Sequence, residues 1–348
     1  MASEFAELHA ELRSVAGDLL AKERGAEVSW PLLAQAGWTS LEAPDDFGGA
    51  GATFAEVAVI LLEMGRAATA SPYLGGAVLG VGTLLALAPG SVRDELLAGS
   101  GRVAVALSTD HETVGATTPF TLTESRQLNG RSDFVADAVG ADRLLLLAAD
   151  PDRTPVIVAV PPDAVTVTAR PVLDETRRLA SVTAENLTVD GASVLRFDGD
   201  PHAAVRGLLD RASVAVACDS LGLAEAMLTA TVAYTGMRHQ FGRAIGSFQA
   251  VKHMCADMLV QISVARQLVG AAVEAIAEGG DTAVPASMAK SSACDTAVAV
   301  VGTAMQLHGG IGYTWESGVH VYLKRAALNR SLFGSPAAHR RQLAQRYL

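Results

Sequence analysis

The sequence predicts an α+β chain: an N-terminal helical domain over residues 1–100, a middle β-barrel domain over 101–202 and a C-terminal four-helix bundle over 203–348. Three observations carry this reading. Apolar residues between Thr53 and Arg66 recur at three- and four-residue intervals. Short β-branched or apolar runs crowd the stretch after Gly101. Helical periodicity then resumes near Ala203 and continues to the end.

In the first zone, Ser3 to about Leu97 is rich in Ala, Leu and Glu, with breaks at Gly37, at Pro44 to Gly51 and at Pro72. Phe54, Val57, Ile60, Leu61 and Met64 form one apolar stripe, the pattern of a helix buried on one side. In the second zone, Val103 to Leu107, Phe120 to Leu122, Leu144 to Leu147, Val156 to Val160 and Val165 to Thr168 read as strands. Asn129-Gly130 reads as a hairpin turn, because both residues tolerate positive φ. Strands at this spacing suggest a compact antiparallel barrel or sandwich. In the third zone, Val251, Met254, Cys255, Met258, Leu259 and Ile262 share one stripe, and Met288, Val298, Val301 and Met305 contribute to another. Pro285 sits at a helix start, where its missing N–H does no harm. Long helices of this kind make a bundle.

Half the residues are apolar and 18% are charged, which suits a large core and buried subunit contacts. The net charge of −10 and the lack of any basic stripe argue against nucleic acid as a partner. No basic stretch followed by an apolar core opens the chain, so no secretory signal is read, and a cytoplasmic location is expected. The apolar run from Tyr73 to Pro89 is broken by Gly75, Gly76, Gly80 and Gly82, too interrupted to span a bilayer, so no membrane partner is expected. Cys218, Cys255 and Cys294 read as buried free thiols. No His/Cys/Asp cluster has metal-ligand spacing, and no metal is expected.

Chemistry concentrates in a few segments. Arg238-His239-Gln240-Phe241-Gly242, followed by Phe248-Gln249, combines a guanidinium, a side-chain donor and an aromatic face. In isolation it would read as a solvated Arg and a packing Phe. Gln306-Leu307-His308-Gly309-Gly310-Ile311-Gly312-Tyr313 ends a helix in glycines whose N–H groups a phosphate can approach, although a lone Gly-Gly-x-Gly also serves as an ordinary helix end. Pro44-Asp45-Asp46-Phe47-Gly48-Gly49-Ala50-Gly51 lies near the N-terminus. Tyr313-Thr314-Trp315-Glu316 and Val321-Tyr322-Leu323-Lys324-Arg325-Ala326 follow the glycines.

Taken together and in this order, these segments resemble the acyl-CoA dehydrogenase family over nearly the whole chain. The resemblance implies FAD as cofactor and oxidation of an acyl-CoA to its 2-enoyl-CoA. It also implies that Arg238, Gln240, Phe241, Gln249, Gln306, Gly309 and Gly310 contact the ADP half of FAD, reaching across a subunit interface to a flavin whose ring lies in the neighbour.

The flavin-ring side departs from the family. Where relatives carry Thr-Glu-Pro-x-x-Gly-Ser-Asp, this chain has Ser108 to Gly115, with Thr109 as a remnant; where they carry Trp-Ile-Thr, it has Phe134-Val135-Ala136. Counting from Gly310 places Phe333 at the usual catalytic glutamate. Counting back from Arg238, with Gly222 as a register check, places Ala212 at the alternative carboxylate position of the bundle's first helix. No catalytic residue is therefore assigned. Asp210 reads as a surface or capping residue, and Asp219 as a buried polar or interface group. His308 reads as an interface or phosphate neighbour, His239 as an exposed helix-end residue, Glu316 as structural, and His202 and His111 as loop residues facing solvent. Ser291, Ser292 and Cys294 fit close helix packing better than nucleophilic chemistry.

This pattern of losses resembles the smaller, non-catalytic subunit of heteromeric bacterial acyl-CoA dehydrogenases of steroid and lipid catabolism, implying a second subunit in an α2β2 tetramer that supplies the base. The alternatives are a self-sufficient homo-oligomer with a displaced base, a stabilising subunit with vestigial nucleotide contacts, and a flavin-dependent monooxygenase.

Overall fold

The computed structural model describes residues 2–23, 25–107 and 117–346, with side chains from Glu7 onward. The chain divides into two compact units. One is built on Ala58–Thr69, the helices from Ser213 onward and the N-terminal helix; the other comprises Glu27–Val57 and Ala70–Ala212.

Helices α1 (Ala2–Lys22), α2 (Trp30–Gln35) and α3 (Phe54–Ala67) come first, followed by a π-helical stretch, Leu74–Gly80, that runs into α4 (Val81–Leu85), and then by α5 (Ser91–Ala98). The predicted α3 stripe is buried at Phe54, Val57, Ile60, Leu61 and Met64. The Pro44 to Gly51 break holds a short 3-10 turn, Asp45–Phe47. A Cβ on Gly49 would lie 1.9 Å from the Ala43 carbonyl oxygen, so only glycine allows the chain to fold back there.

The sheet domain contains β1 (Val103–Ala106), β2 (Phe120–Leu122), β3 (Gln127–Ala136), β4 (Arg143–Ala149), β5 (Pro155–Val160), β6 (Thr166–Arg170), β7 (Leu179–Thr188) and β8 (Val194–Leu195). The order is β6-β7-β3-β2-β4-β5-β8, with β1 also paired to β4. The expected antiparallel sheet is in fact mixed, because β4 pairs in parallel with both β1 and β2. The expected Asn129-Gly130 turn also requires correction. Both residues lie inside β3, opposite Thr121 and Phe120 of β2. The register against β7 shifts between Leu128 and Gly130. At φ 145° Gly130 lets the strand bulge, and a Cβ there would meet Pro119 O at 2.3 Å. Alternate side chains, Phe120, Leu128, Leu144, Leu146, Val156, Val158, Ala180 and Val182 among them, fill one apolar core.

The second helical zone comprises α6 (Pro201–Met237), the short strands β9 (His239–Gln240) and β10 (Arg243–Ala244), α7 (Gln249–Ala277), α8 (Ala283–His308), α9 (Val319–Ser331) and α10 (Pro336–Gln345). Small residues of α8, Ala286, Ala289, Ala293, Ala297 and Ala304, are buried and permit close helix packing. Asp219 and Arg325 form a buried ion pair (2.5 and 3.0 Å) that Asn329 joins at 2.6 Å. Asp210 is buried rather than at the surface, because α6 is enclosed on all faces from Leu208 through Glu225.

The stripe expected on α7 is only partly inward. Its buried seam is Met258, Ile262, Ala265, Val269 and Ala272, while Leu259, Val260 and Val264 face out, as does Met288 of α8. Cys255 on this helix is half-buried, whereas Cys218 and Cys294 are buried. Helices α6 and α7 both have the length and hydropathy of a membrane span, but the apolar window is 78% buried in α6 and 22% buried in α7. Helix α6 is thus a core helix, and α7 presents an apolar face with no cover from its own chain.

Candidate functional site

The two segments that suggested nucleotide binding lie at neighbouring ends of α6 and α8. Arg238 follows the last turn of α6, its N–H bonded to Tyr234 O at 2.9 Å. The chain then makes a tight two-stranded turn, β9 against β10, with Phe241 at φ 50° and Gly242 at φ 78° at its tip. Phe241 is 89% exposed. Its ring meets Phe248 edge-on at 6.1 Å, and the Arg243 guanidinium lies 4.0 Å above the Phe248 ring. Arg238, His239, Gln240 and Gln249 are all exposed, Gln249 as the first residue of α7.

Gln306 is exposed in the last turn of α8, and its side chain accepts a long hydrogen bond from Tyr313 Oη at 3.5 Å. Gly309 ends the helix at φ 62°, ψ −143°, a conformation open essentially only to glycine. A Cβ on Gly309 or Gly310 would meet nothing within 4 Å, so their backbone is open to a ligand's approach. The Gly309 N–H is donated to Gln306 O, so Gly309 offers close approach rather than a donor. The exposed Arg238 guanidinium, the Gln240, Gln249 and Gln306 amides, the open Gly310 backbone and the Phe241 ring are groups that fit FAD's ADP half.

Sequence reasoning passed over Tyr234 and underrated His308. Their rings stack at 4.4 Å with an interplanar angle of 17°, and Tyr234 Oη donates to His308 O at 3.3 Å. This contact joins the two segments, and no local pattern in the sequence marks it.

The positions where a catalytic carboxylate was sought hold none. Phe333 is buried at φ 56° in the turn after α9, its carbonyl accepting from Ser213 Oγ at 3.4 Å and facing His339 Nε2 at 3.0 Å. Burial pushes His339 down to about 4. Ala212 is fully buried on α6. Next to it in sequence, Arg211 is clamped by Glu42 in a two-pronged ion pair (3.0 Å on one prong) and donates Nε–H to Val78 O at 2.8 Å. Glu42 is therefore committed to Arg211 and is no free base. Asp219, likewise, is bound by Arg325 and Asn329. His239 is exposed, as expected, and Glu316 lies exposed in a short turn; His202 is exposed but opens α6 rather than lying in a loop. The expectations for Ser108 to Gly115, with Thr109 and His111, lie outside the described residues.

On the flavin-ring side, Phe134 occupies a bulge of β3 between Ser132 and Val135 at φ 58°, and its ring is 45% exposed. Val135 and Ala136 are buried, and neither offers a polar side chain. Asp137, also left-handed at φ 57°, accepts Gly75 N–H at 2.9 Å, and burial raises its carboxyl to about 6. Among the described residues no cluster suited to a metal ion is found.

Residues 1–111 match the acyl-CoA dehydrogenase N-terminal domain, and residues 202–348 match the acyl-CoA dehydrogenase C-terminal domain. The acyl-CoA dehydrogenase IpdE2 of Mycolicibacterium smegmatis is 34% identical over 90% of this chain and 86% of its own length. The chain belongs to the acyl-CoA dehydrogenase family. This family is FAD-dependent, and its fold has an N-terminal helical domain, a middle sheet domain and a C-terminal helical domain. Among solved structures, a variant of the Tcur3481–Tcur3483 steroid ACAD superposes with a TM-score of 0.84 at 28% identity, covering 98% of this chain and 97% of the other. Butyryl-CoA dehydrogenase from Megasphaera elsdenii shares the fold, with a TM-score of 0.85 at 21% identity over 97% of each chain.

Proposed function

We propose that this acyl-CoA dehydrogenase-family chain is one of two unlike subunits of a flavin-dependent enzyme that oxidises an acyl-CoA to its 2-enoyl-CoA. It grips the ADP half of FAD across the subunit interface, and its partner supplies the base. The observation that carries this reading is the asymmetry between the two halves of the site. The ADP-side donors are exposed and clustered, while the base positions are Phe333 and Ala212, both buried and unable to accept a proton.

The ADP-side residues would hold FAD, which would supply the acceptor for the hydride leaving the substrate's Cβ. Arg238 neutralises the pyrophosphate, Gln240 and Gln249 donate to the polar edges, and Phe241 covers the adenine face. Gln306 and the Gly310 amide complete the hold on the phosphates, and Gly309, whose N–H is donated to Gln306 O, leaves room for their approach. Removal of the Cα proton needs a carboxylate within hydrogen-bond reach, which falls to the partner. The uncovered apolar face of α7, with Leu259, Val260 and Val264, supports an obligate subunit contact. The Tcur3481–Tcur3483 steroid ACAD is named for two gene products, which favours the heteromeric form and acyl groups of steroid or lipid catabolism as the substrate class.

The test is expression of the chain alone and with candidate partner subunits of the same family, followed by native mass, visible absorption and turnover. The chain alone is expected to hold little FAD and to turn over no acyl-CoA. A yellow homo-oligomer with robust acyl-CoA turnover would overturn the proposal.

A further inference from the structure

We infer that Tyr234 is a positioning residue that locks the two halves of the nucleotide grip into one register, with His308 as its counterpart. The inference rests on the proposed hold on FAD's ADP half and specifies how that hold is kept in shape.

Three contacts converge on this pair. The Tyr234 carbonyl accepts the Arg238 N–H at 2.9 Å, so the residue that starts the first segment is bonded directly to Tyr234. The Tyr234 hydroxyl donates to the carbonyl of His308, the residue immediately before Gly309, at 3.3 Å. The two rings lie face to face at 4.4 Å. His308 is itself fixed to α8: its Nδ1 lies 2.7 Å from Ala304 O, and because a carbonyl only accepts, Nδ1 carries the proton. The imidazole is buried and cannot swing away. Tyr234 thus ties the end of α6 to the end of α8 at the point where one chain turns toward Arg238 and the other toward Gly309 and Gly310.

The physical need for such a tie is specific. The Arg238 turn is exposed and short, and Gly309 and Gly310 have no side chains to pack. Neither segment can hold its own position relative to the other. A polyphosphate bound by both would have to order them on binding, and that cost lowers affinity. The stacked pair orders them in advance.

The probe is ADP, titrated calorimetrically into the flavin-free assembled complex carrying the wild-type chain or its Tyr234→Phe, Tyr234→Ala, His308→Ala or Arg238→Ala variant. Arg238→Ala tests the grip, and the others test the tie. Tyr234→Ala and His308→Ala are expected to weaken ADP binding about tenfold, while Tyr234→Phe, which keeps the stack, recovers most of the loss. Amide hydrogen exchange at Gly309 and Gly310 should accelerate in Tyr234→Ala while the global melting temperature changes little, a result that general destabilisation would not give. If Arg238→Ala weakens ADP binding and neither Tyr234→Ala nor His308→Ala does, the positioning role is overturned and the grip stands. If the wild type binds no ADP, or Arg238→Ala leaves affinity unchanged, the grip fails and the tie has nothing to position. Should Tyr234→Ala not fold, His308→Ala and Tyr234→Phe decide the same question.

Discussion

Lys290 Nζ donates to the carbonyl of Gly334 at 2.9 Å, next to the turn that carries Phe333. The same fully buried ammonium also bonds Asn329 O at 2.9 Å and Arg330 O at 3.4 Å, so one side chain caps the end of α9 and fixes the turn beyond it. Burial lowers the Lys290 pKa, while the neighbouring carbonyls satisfy its protons. Lys290→Met leaves those carbonyls unsatisfied and should cost about 3 kcal/mol in urea unfolding. A loss under about 0.5 kcal/mol would show that the cap contributes little.

Two buried groups should pull stability in opposite directions with pH. Asp137 has its folded pKa raised to about 6, so between about pH 4 and 6 the folded state holds a proton that the unfolded state lacks, and stability falls as pH rises. His339 has its folded pKa lowered to about 4, so between about pH 4 and 6.5 the unfolded state holds the extra proton, and stability rises with pH. Each effect amounts to roughly 3 kcal/mol at most. Asp137→Asn keeps an acceptor for the Gly75 N–H and should be more stable than wild type at pH 7. It should also expose the His339 slope, with stability lost as pH drops from about 6.5 to 4. Urea melts from pH 4 to 8 would read both.

The paired glycines after α8 should separate stability from binding. Gly309→Ala forces a non-glycine residue into φ 62°, ψ −143° and should lose about 1–3 kcal/mol. Gly310→Ala meets open space and should leave stability within about 0.5 kcal/mol while weakening dinucleotide binding, because its Cβ stands where the phosphate approaches. Thermal melts and flavin titration of the assembled enzyme distinguish the two.

An acidic residue on the outer face of α7 should break assembly without unfolding the chain. Val264→Asp places a carboxylate among Leu259 and Val260, all exposed in the single chain and covered in the proposed complex. Native mass should show loss of the partner, with the far-ultraviolet dichroism of the chain unchanged.

Helix α3 was legible in the sequence because its apolar residues recur every three or four positions, and strands such as β5 because a short run rich in β-branched residues is bounded by Pro and Asp. Strands β3 and β7, the longest, were not legible. Gln127, Asn129, Arg131 and Asp133 in one, and Glu185 and Asn186 in the other, give them the polar look of loops, and their pairing is long-range. Asn129-Gly130 satisfied a local turn rule that the sheet overrode. At the site, motif residues could be read because their chemistry is displayed at fixed spacing. Tyr234 could not, since its partner lies 74 positions away and nothing local marks the stack.

In the proposed assembly this chain contributes no proton acceptor to the reaction. The direct measurement is exchange of the acyl-CoA Cα hydrogen in deuterated water with FAD present, followed by mass spectrometry, for the chain alone and for its assembled complex. No exchange is expected from the chain alone, and ready exchange from the complex, lost when a partner carboxylate is substituted. Exchange catalysed by the chain alone would contradict it.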